Sequence, residues 1–337
     1  MRTPPETNQK SATLDDVAAR VGVSRMAVSV VLNGSRSGTR VSDAKRAQIL
    51  AAAKELNYRP NLVARSLARS ATHVFGFYTG FDYLDVRNPF IAEITSGLLD
   101  ECSRCSRDLL LHTIFRGQDI NGLYNELVGG KIDGLVIWAP DDDPLVALLR
   151  NGHLPVVSIV ETIPPFPSVG VDDYAGAVEI GRHLFNRGHR SLLYLTQKRP
   201  SKSRQRRWDA MQDVANQLGM RMRTVVEPTA EGLIAALREP GPSGSTPTAL
   251  ACWNDMVAYW AMSQCRRAGI SVPQEIAITG FDGIRSEIQA DASLTTVHAP
   301  WAQVASAAIN HLLDLHQGKP TPSETVLPVE LVLGDTA

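Results

Sequence analysis

"TLDDVAARVGVSRMAVSVVLNG", residues 13–34, reads as two short helices with a tight turn between them. Thr13 can cap the first helix, and Asp16 stands three residues on, the spacing of a capping box. Leu14, Val17, Ala18 and Val21 recur at helical intervals and make one apolar face. Gly22 breaks this helix. Ser24 caps the second, "RMAVSVVLN", which Asn33 and Gly34 stop. Ala27, Val28, Val31 and Leu32 are expected to face inward.

Downstream, the loop "GSRSGTR" leads to Ser42, which caps a third helix, "DAKRAQILAAAKELNY". Two short helices joined by a Gly-containing turn and followed by a third make a helix-turn-helix. In that motif the second helix enters a DNA major groove, with its N-terminal residues at the base edges. A small helical subdomain without a ligand is the plainer alternative. Charge argues against it: residues 1–70 carry 12 Lys/Arg and 5 Asp/Glu, a net of +7, and the remainder nets −8. A basic piece on an acidic body points to an anionic partner. "NYRPNLVARSLARS", residues 57–70, adds a helix of about two turns, too short to stand alone in water.

From residue 73 the period changes. Apolar runs such as "HVFGFYTG", "DGLVIWAP" and "PVVSIV" alternate with amphipathic stretches such as "PFIAEITSGLLDECSRC" and "DPLVALLRNG". That pattern is a parallel sheet covered by helices on both faces. It restarts after a Pro-rich crossing, "ETIPPFPSVGVDD", and runs through "SLLYLTQ", "TALACW" and "EIAITGFD". Two successive α/β halves predict two lobes with a cleft between them. Ligands in such sheets bind beyond the carboxyl ends of the strands. Arg204, Asn254 and Asp282 fall just after strands and are candidate cleft residues.

The 337 residues allow two or three domains, and the composition is that of a globular protein. No apolar run approaches the roughly 20 residues of a membrane span. The N-terminus lacks the apolar core of a secretory signal, so a cytoplasmic location without membrane contact is expected. Phosphate-loop, dinucleotide, nucleophile-elbow and zinc-protease motifs are missing, so an enzyme and a cofactor are not expected. Cys102 and Cys105 form a CxxC with no second ligand pair, and the eight His are scattered, so no metal site is expected. The basic run "KRPSKSRQRRWD" at 198–209 reads as a solvated loop entering a helix, apart from Arg204.

"TLDDVAARVGVS" and "VSDAKRAQILAAAKELNYRPNLVARSLA", followed in order by "NPF", "DGLVI", "VDDYAGA", "RGHRSLLYL" and "GISVPQEIAITGFD", resemble the lactose-repressor family of bacterial transcription regulators. The resemblance covers residues 12 to about 333. It implies an α/β protein with an N-terminal helix-turn-helix domain (12–59), a hinge helix or linker (60–71), and a two-lobed periplasmic-binding-protein-like body (72–333). The lobes are expected at 72–162 plus 292–318, and at 163–291 plus 319–333. The implied function is that of a DNA-binding regulator, a repressor, controlled by a small-molecule effector of the carbohydrate class bound between the lobes. A homodimer on double-stranded operator DNA is implied, without a coiled-coil tetramer tail.

Carried over position by position, the resemblance implies DNA contacts from Thr13, Ser24, Arg25, Met26, Ala27, Ser29, Val30 and Asn33. Val30 stands where the family usually has Arg, and can touch a thymine methyl instead. Arg40, with Arg36, offers phosphate contacts from the loop, and Lys45 and Tyr58 match positions that touch the DNA backbone. The hinge helix is implied to order on DNA, with Leu67 wedging between base pairs and Asn61, Ala64 and Arg65 on the DNA side. In the body, Arg204 matches the family's effector arginine. Arg207 replaces a usual glycine, which predicts a different local backbone. Asn254 and Asp282 match further cleft positions, with Asp282 expected on the wall opposite Arg204. Phe90, Trp138 and Trp253 can stack on a sugar face or belong to the core.

Overall fold

The computed structural model describes residues 12–33, 39–59, 71–81, 85, 87–112, 119–198, 201–241, 244–284 and 292–337. The expected hinge residues Asn61, Ala64, Arg65 and Leu67, and Arg36 of the loop, lie outside the described residues. The chain divides into two compact units after His73.

The first unit is three helices, α1 (Leu14–Val21), α2 (Arg25–Asn33) and α3 (Asp43–Glu55). Each begins where a hydroxyl satisfies a free backbone N–H. Thr13 Oγ1 accepts from Asp16 N at 3.3 Å while the Asp16 carboxylate accepts from Thr13 N at 2.8 Å, which completes the capping box. Ser24 Oγ accepts from Ala27 N at 3.2 Å, and Ser42 Oγ from Lys45 N at 3.4 Å. Gly22 ends α1 at φ 68°, a backbone region that costs glycine little. Val17, Val28 and Ile49 are fully buried between the three helices. Each contributes about 1.5–3 kcal/mol by leaving water.

The second unit holds two parallel sheets. The larger is ordered β11-β5-β4-β3-β1-β2, from β1 (Val74–Thr79), β2 (Asp108–Leu111), β3 (Gly134–Trp138), β4 (Val156–Ile159), β5 (Ser168–Val171) and β11 (Glu324–Leu327). The smaller is ordered β7-β6-β8-β9, from β6 (Ser191–Thr196), β7 (Arg221–Val226), β8 (Ala249–Cys252) and β9 (Ala277–Thr279). A short antiparallel pair, β10 (Thr296–His298) and β12 (Glu330–Val332), completes the strands among the described residues.

Strand alternation sorts the core. Phe75 and Phe77 of β1 and Leu192 and Tyr194 of β6 join one cluster that runs through both sheets. Tyr78, Leu135 and Ile137 face a second cluster on the outer side of the larger sheet, and Leu193, Leu195 and Leu250 a third on the smaller sheet. Helices α4 (Pro89–Arg104) and α11 (Trp301–His316) pack closely on the larger sheet. A Cβ at Gly97 would lie 2.5 Å from the Ala302 carbonyl oxygen, so only glycine lets these helices approach so nearly.

Two expectations are corrected here. The Pro-rich crossing contains β5, and both β5 and β11 belong to the larger sheet rather than to the second lobe. The lobe boundaries at 162/163 and 318/319 are therefore misplaced. Arg207 causes no departure of the backbone: helix α8 (Lys202–Leu218) runs through it without interruption.

Candidate functional site

The first unit presents α2. Arg25 and Met26 are exposed at its start, Met26 by 52%. Arg25 Nη1 lies 3.5 Å from Asp15 Oδ2, but both side chains are about two-thirds exposed, so the pair holds little energy and the guanidinium stays available. Ser29, Val30 and Asn33 are half-buried, and Asn33 Nδ2 donates to Ser29 Oγ at 3.4 Å. Arg40 is exposed. Lys45 Nζ donates to the Val21 carbonyl at 3.4 Å, near the end of α1. Tyr58 packs on the core of the unit.

Ala27 is 8% exposed, inward-facing as its helical spacing predicts. The Thr13 hydroxyl is engaged by Asp16, which makes Thr13 a cap before anything else.

The second unit gathers chemistry beyond the carboxyl ends of both sheets. Asn88 caps α4 by accepting from Phe90 N at 3.0 Å, with Pro89 at the first turn, and this sets Phe90 in place. The Phe90 ring meets Trp138, at the end of β3, at 4.9 Å and Trp301, at the start of α11, at 5.0 Å, both edge-on. Phe81, just beyond β1, lies 4.9 Å from Trp138. From the smaller sheet, Arg204 sits in the first turn of α8, capped by Ser201. It is 6% exposed, its Nη1 donates to the Gln197 carbonyl at 2.7 Å, and its guanidinium lies 5.0 Å from the Trp253 ring. Asn254 spends its Oδ1 on Val257 N at 2.9 Å as the cap of α10 (Asp255–Arg267).

A buried ion network joins the two sheets at this place. Asp173, directly after β5, accepts from Arg207 Nε at 2.8 Å, Arg206 Nη2 at 2.8 Å and Ser203 Oγ at 2.8 Å. Arg207 Nη1 also donates to the Trp253 carbonyl at 2.9 Å and to Asp282 Oδ1 at 3.2 Å. Glu161, after β4, accepts from Ser201 Oγ and from Lys202 N at 2.7 Å, an anion on the N-terminus of α8. Val160 and Asp282 hold φ of 67° and 121°, left-handed backbone that a side chain tolerates only when neighbours impose it. Arg206 bonds the Val160 carbonyl, and Arg207 bonds the Asp282 carboxylate.

Residues 13–61 match the family described as bacterial regulatory proteins, lacI family, and residues 182–337 match a periplasmic binding protein-like domain. The HTH-type transcriptional regulator GalR of Escherichia coli is 31% identical over 325 residues, covering 93% of this chain and 92% of its own. The chain belongs to the LacI family. The transcriptional repressor PurR of Erwinia tasmaniensis is 29% identical over 327 residues, covering 94% of this chain and 93% of its own. Among solved structures, the lac repressor dimer bound to operator and the anti-inducer ONPF superposes with a TM-score of 0.78 at 24% identity, covering 97% of this chain and 99% of that one, a likeness of fold. A complex of the regulator CelR with cellobiose has a TM-score of 0.69 at 25% identity, covering 97% of this chain and all of that one.

This LacI-family regulator is thus not an enzyme by kinship. No helix among its described residues is long and apolar enough to cross a membrane. Asp282 corrects a further expectation. It stands beyond β9, in the same sheet that carries Arg204 and Asn254, so it is not on an opposite wall, and Arg207 occupies one of its oxygens. Burial pushes its carboxyl well above the usual range while Arg207 pulls it back. Burial likewise raises Asp255, to about 6, although Thr296 and the Ile284 N–H hold its oxygens.

Sequence reasoning missed Trp301, Arg207 and Asp173. Trp301 opens a helix after Pro300, a position that reads as ordinary core. A cavity of about 930 Å³ opens between Pro89, Ala92 and Trp301 on one side and Tyr259, Asp282 and Leu294 on the other. That volume suits a small organic ligand. Asp282 lines it, whereas Phe90, Trp138, Arg204, Trp253 and Asn254 stand back from it.

Arg25 leads to a measurable expectation. Arg25→Ala should weaken binding to the specific site by about 1–3 kcal/mol and relax preference at one base pair, since a guanidinium can bond a guanine edge twice. Fluorescence anisotropy on specific and random duplexes checks it. An equal loss on both would reduce Arg25 to a phosphate contact.

Proposed function

We propose that this chain is a sequence-specific repressor, dimeric on a near-palindromic operator, whose hold on DNA is set by a small molecule between the two sheets. The effector belongs to the sugars or their derivatives. One observation carries the reading: in a chain that carries a helix-turn-helix, a cavity of about 930 Å³ opens between Pro89, Ala92 and Trp301, on helices that pack on the larger sheet, and Asp282, beyond the smaller one. A regulator of the same fold occurs in complex with cellobiose, which supports the carbohydrate class. Arg25, Met26, Ser29, Val30 and Asn33 read bases from α2. Arg40, Lys45 and Tyr58 touch phosphates. Because one helix-turn-helix reads one half-site, two copies are needed.

The test combines a gel shift on DNA upstream of the protein's own gene with sedimentation and a thermal-shift screen of sugars. The expected result is a dimer that prefers its site over random DNA by about 10³ or more. One ligand class should raise the melting temperature, because a molecule bound only to the native state stabilises it. The same class should change operator affinity. A stable monomer, or equal affinity for random DNA, would overturn the proposal.

A further inference from the structure

The helix-turn-helix unit holds few acids. Residues 12–59 carry eight Lys/Arg and four Asp/Glu. Three of the four acids have a place in the fold. Asp16 accepts from Thr13 N at 2.8 Å in the capping box, Asp43 stands in the first turn of α3, and Glu55 takes two bonds from Arg20, at 2.8 and 3.1 Å. Asp15 is different. It is exposed in the first turn of α1, and its only side-chain partner among the described residues is Arg25, the first residue of α2, 3.5 Å away.

A carboxylate on the face that meets DNA is unfavourable in itself, because phosphates repel it. Its place beside Arg25 gives it a use. In water the pair is worth little, since both side chains are about two-thirds exposed. In a groove the surrounding water is displaced, and the attraction grows as the local dielectric falls. An exposed arginine at the start of a helix samples many rotamers, and binding must freeze them. Asp15 narrows that set in advance. It engages Nη1, so the Nε–Nη2 edge stays open to two acceptors of a guanine. The arrangement also works against wrong sites. Where Arg25 finds no guanine, the carboxylate still meets phosphate without that compensation, and specificity is a difference of affinities.

We infer that Asp15 is a positioning residue for sequence recognition: it holds the Arg25 guanidinium toward one guanine and disfavours every other base at that position. The inference rests on the proposed reading of bases by α2. The positive end of α1 favours an acid at Asp15 as well, but that contribution does not depend on Arg25.

Full-length wild type, Asp15→Asn, Arg25→Ala and the double variant are each used to select sites from a pool of randomised duplexes. Anisotropy then gives their affinities for the wild-type site and for a random duplex. Neither side chain belongs to the core of the unit, so all four proteins should fold alike. Asp15→Asn should lose base preference at the one position that Arg25→Ala also relaxes, with the other positions as in wild type. Its ratio of specific to random affinity should fall about fivefold or more, a share of what one bidentate contact discriminates. Its affinity for the random duplex should rise. In the Arg25→Ala background the same substitution should leave the ratio unchanged, because a positioning effect needs the group it positions. An unchanged ratio in the single variant, with or without a gain on both duplexes, reduces Asp15 to surface charge and overturns the inference. A fall in the ratio that persists without Arg25 also overturns it, since Asp15 is then itself a base contact. Arg25→Ala with wild-type preference removes Arg25 from base reading, and the inference with it, while the sequence-specific regulator stands. A wild-type protein that selects no site overturns both.

Discussion

Arg207→Met should destabilise the second unit by about 3–5 kcal/mol, a fall in melting temperature on the order of 10 °C for a unit of this size. The methionine fills similar volume, so the cavity penalty is small. The cost lies in what remains: Asp173 and Asp282 are 1% and 5% exposed, and both lose a countercharge. The Trp253 carbonyl loses its donor, and the Phe281 ring loses the guanidinium 3.7 Å from its centre. Asp173 keeps Arg206, and Asp282 does not. Arg206→Met serves as the control. Its side chain is 34% exposed, so solvent screens part of the loss and the effect should be clearly smaller.

The pH dependence follows with a definite sign. Burial raises the Asp282 carboxyl in the fold, and Arg207 opposes the rise. Without Arg207 the folded value climbs further above the unfolded one of about 3.9. Between those two values the folded state then binds the extra proton, so stability falls as pH rises. The wild-type carboxyl already stands at about 8, so both proteins hold the proton below that pH: the variant should lag by a constant amount up to about pH 7 and fall further behind near pH 9. Urea melts at both pH values check this, and equal destabilisation at the two would remove Asp282 from the account.

Arg207 also shows where legibility in the sequence ended. Local chemistry was readable: the Thr13–Asp16 box, the Ser24 and Ser42 caps and the Gly22 stop each act over three or four residues, and each appears in the structure. The alternation of Phe75, Phe77 and Tyr78 announced a strand with two buried faces. What a strand pairs with was not readable. β5 and β11 stand side by side although about 150 residues separate them, because in a parallel sheet the crossovers decide the neighbours. The ion network is non-local in the same way. Arg207 meets Asp173 and Asp282 from 34 and 75 residues away, so one arginine among six Lys/Arg at 198–207 looks like solvated charge. Trp301 was overlooked for a related reason: a ring shows itself as part of a box only once Phe90, carried by a distant helix, is beside it.

The buried charges bear on control as well as on stability. Val160 and Glu161 leave β4 of the larger sheet, and both are bonded by α8, which follows β6 of the smaller one. Arg204 lies in the first turn of that same helix. A ligand held by Arg204 therefore acts on the element that fastens the two sheets together. Such an element transmits a signal only if the ligand binds its alternative arrangements with unequal affinity.

Arg204→Ala should therefore abolish the effector response while leaving DNA binding in place. The side chain is buried and its only hydrogen bond to another residue's main chain, among the described residues, is Nη1 to the Gln197 carbonyl. Its removal leaves no buried carboxylate unpaired, unlike Arg207, and the Arg206–Arg207–Asp173 network persists. Loss of a charge-assisted contact should weaken effector binding by about 1.5–3 kcal/mol, roughly 10–150-fold. The coupling between the two sites should fall with it, since a ligand moves an equilibrium only by its difference in affinity for the two states. Operator affinity and oligomeric state without effector should match wild type, because α2 and its capping residues are untouched. Anisotropy titrations of operator, with and without effector, and sedimentation of the variant provide the measurement. A variant that binds the effector with wild-type affinity and shifts operator affinity by the wild-type factor would return Arg204 to a purely structural place at the start of α8.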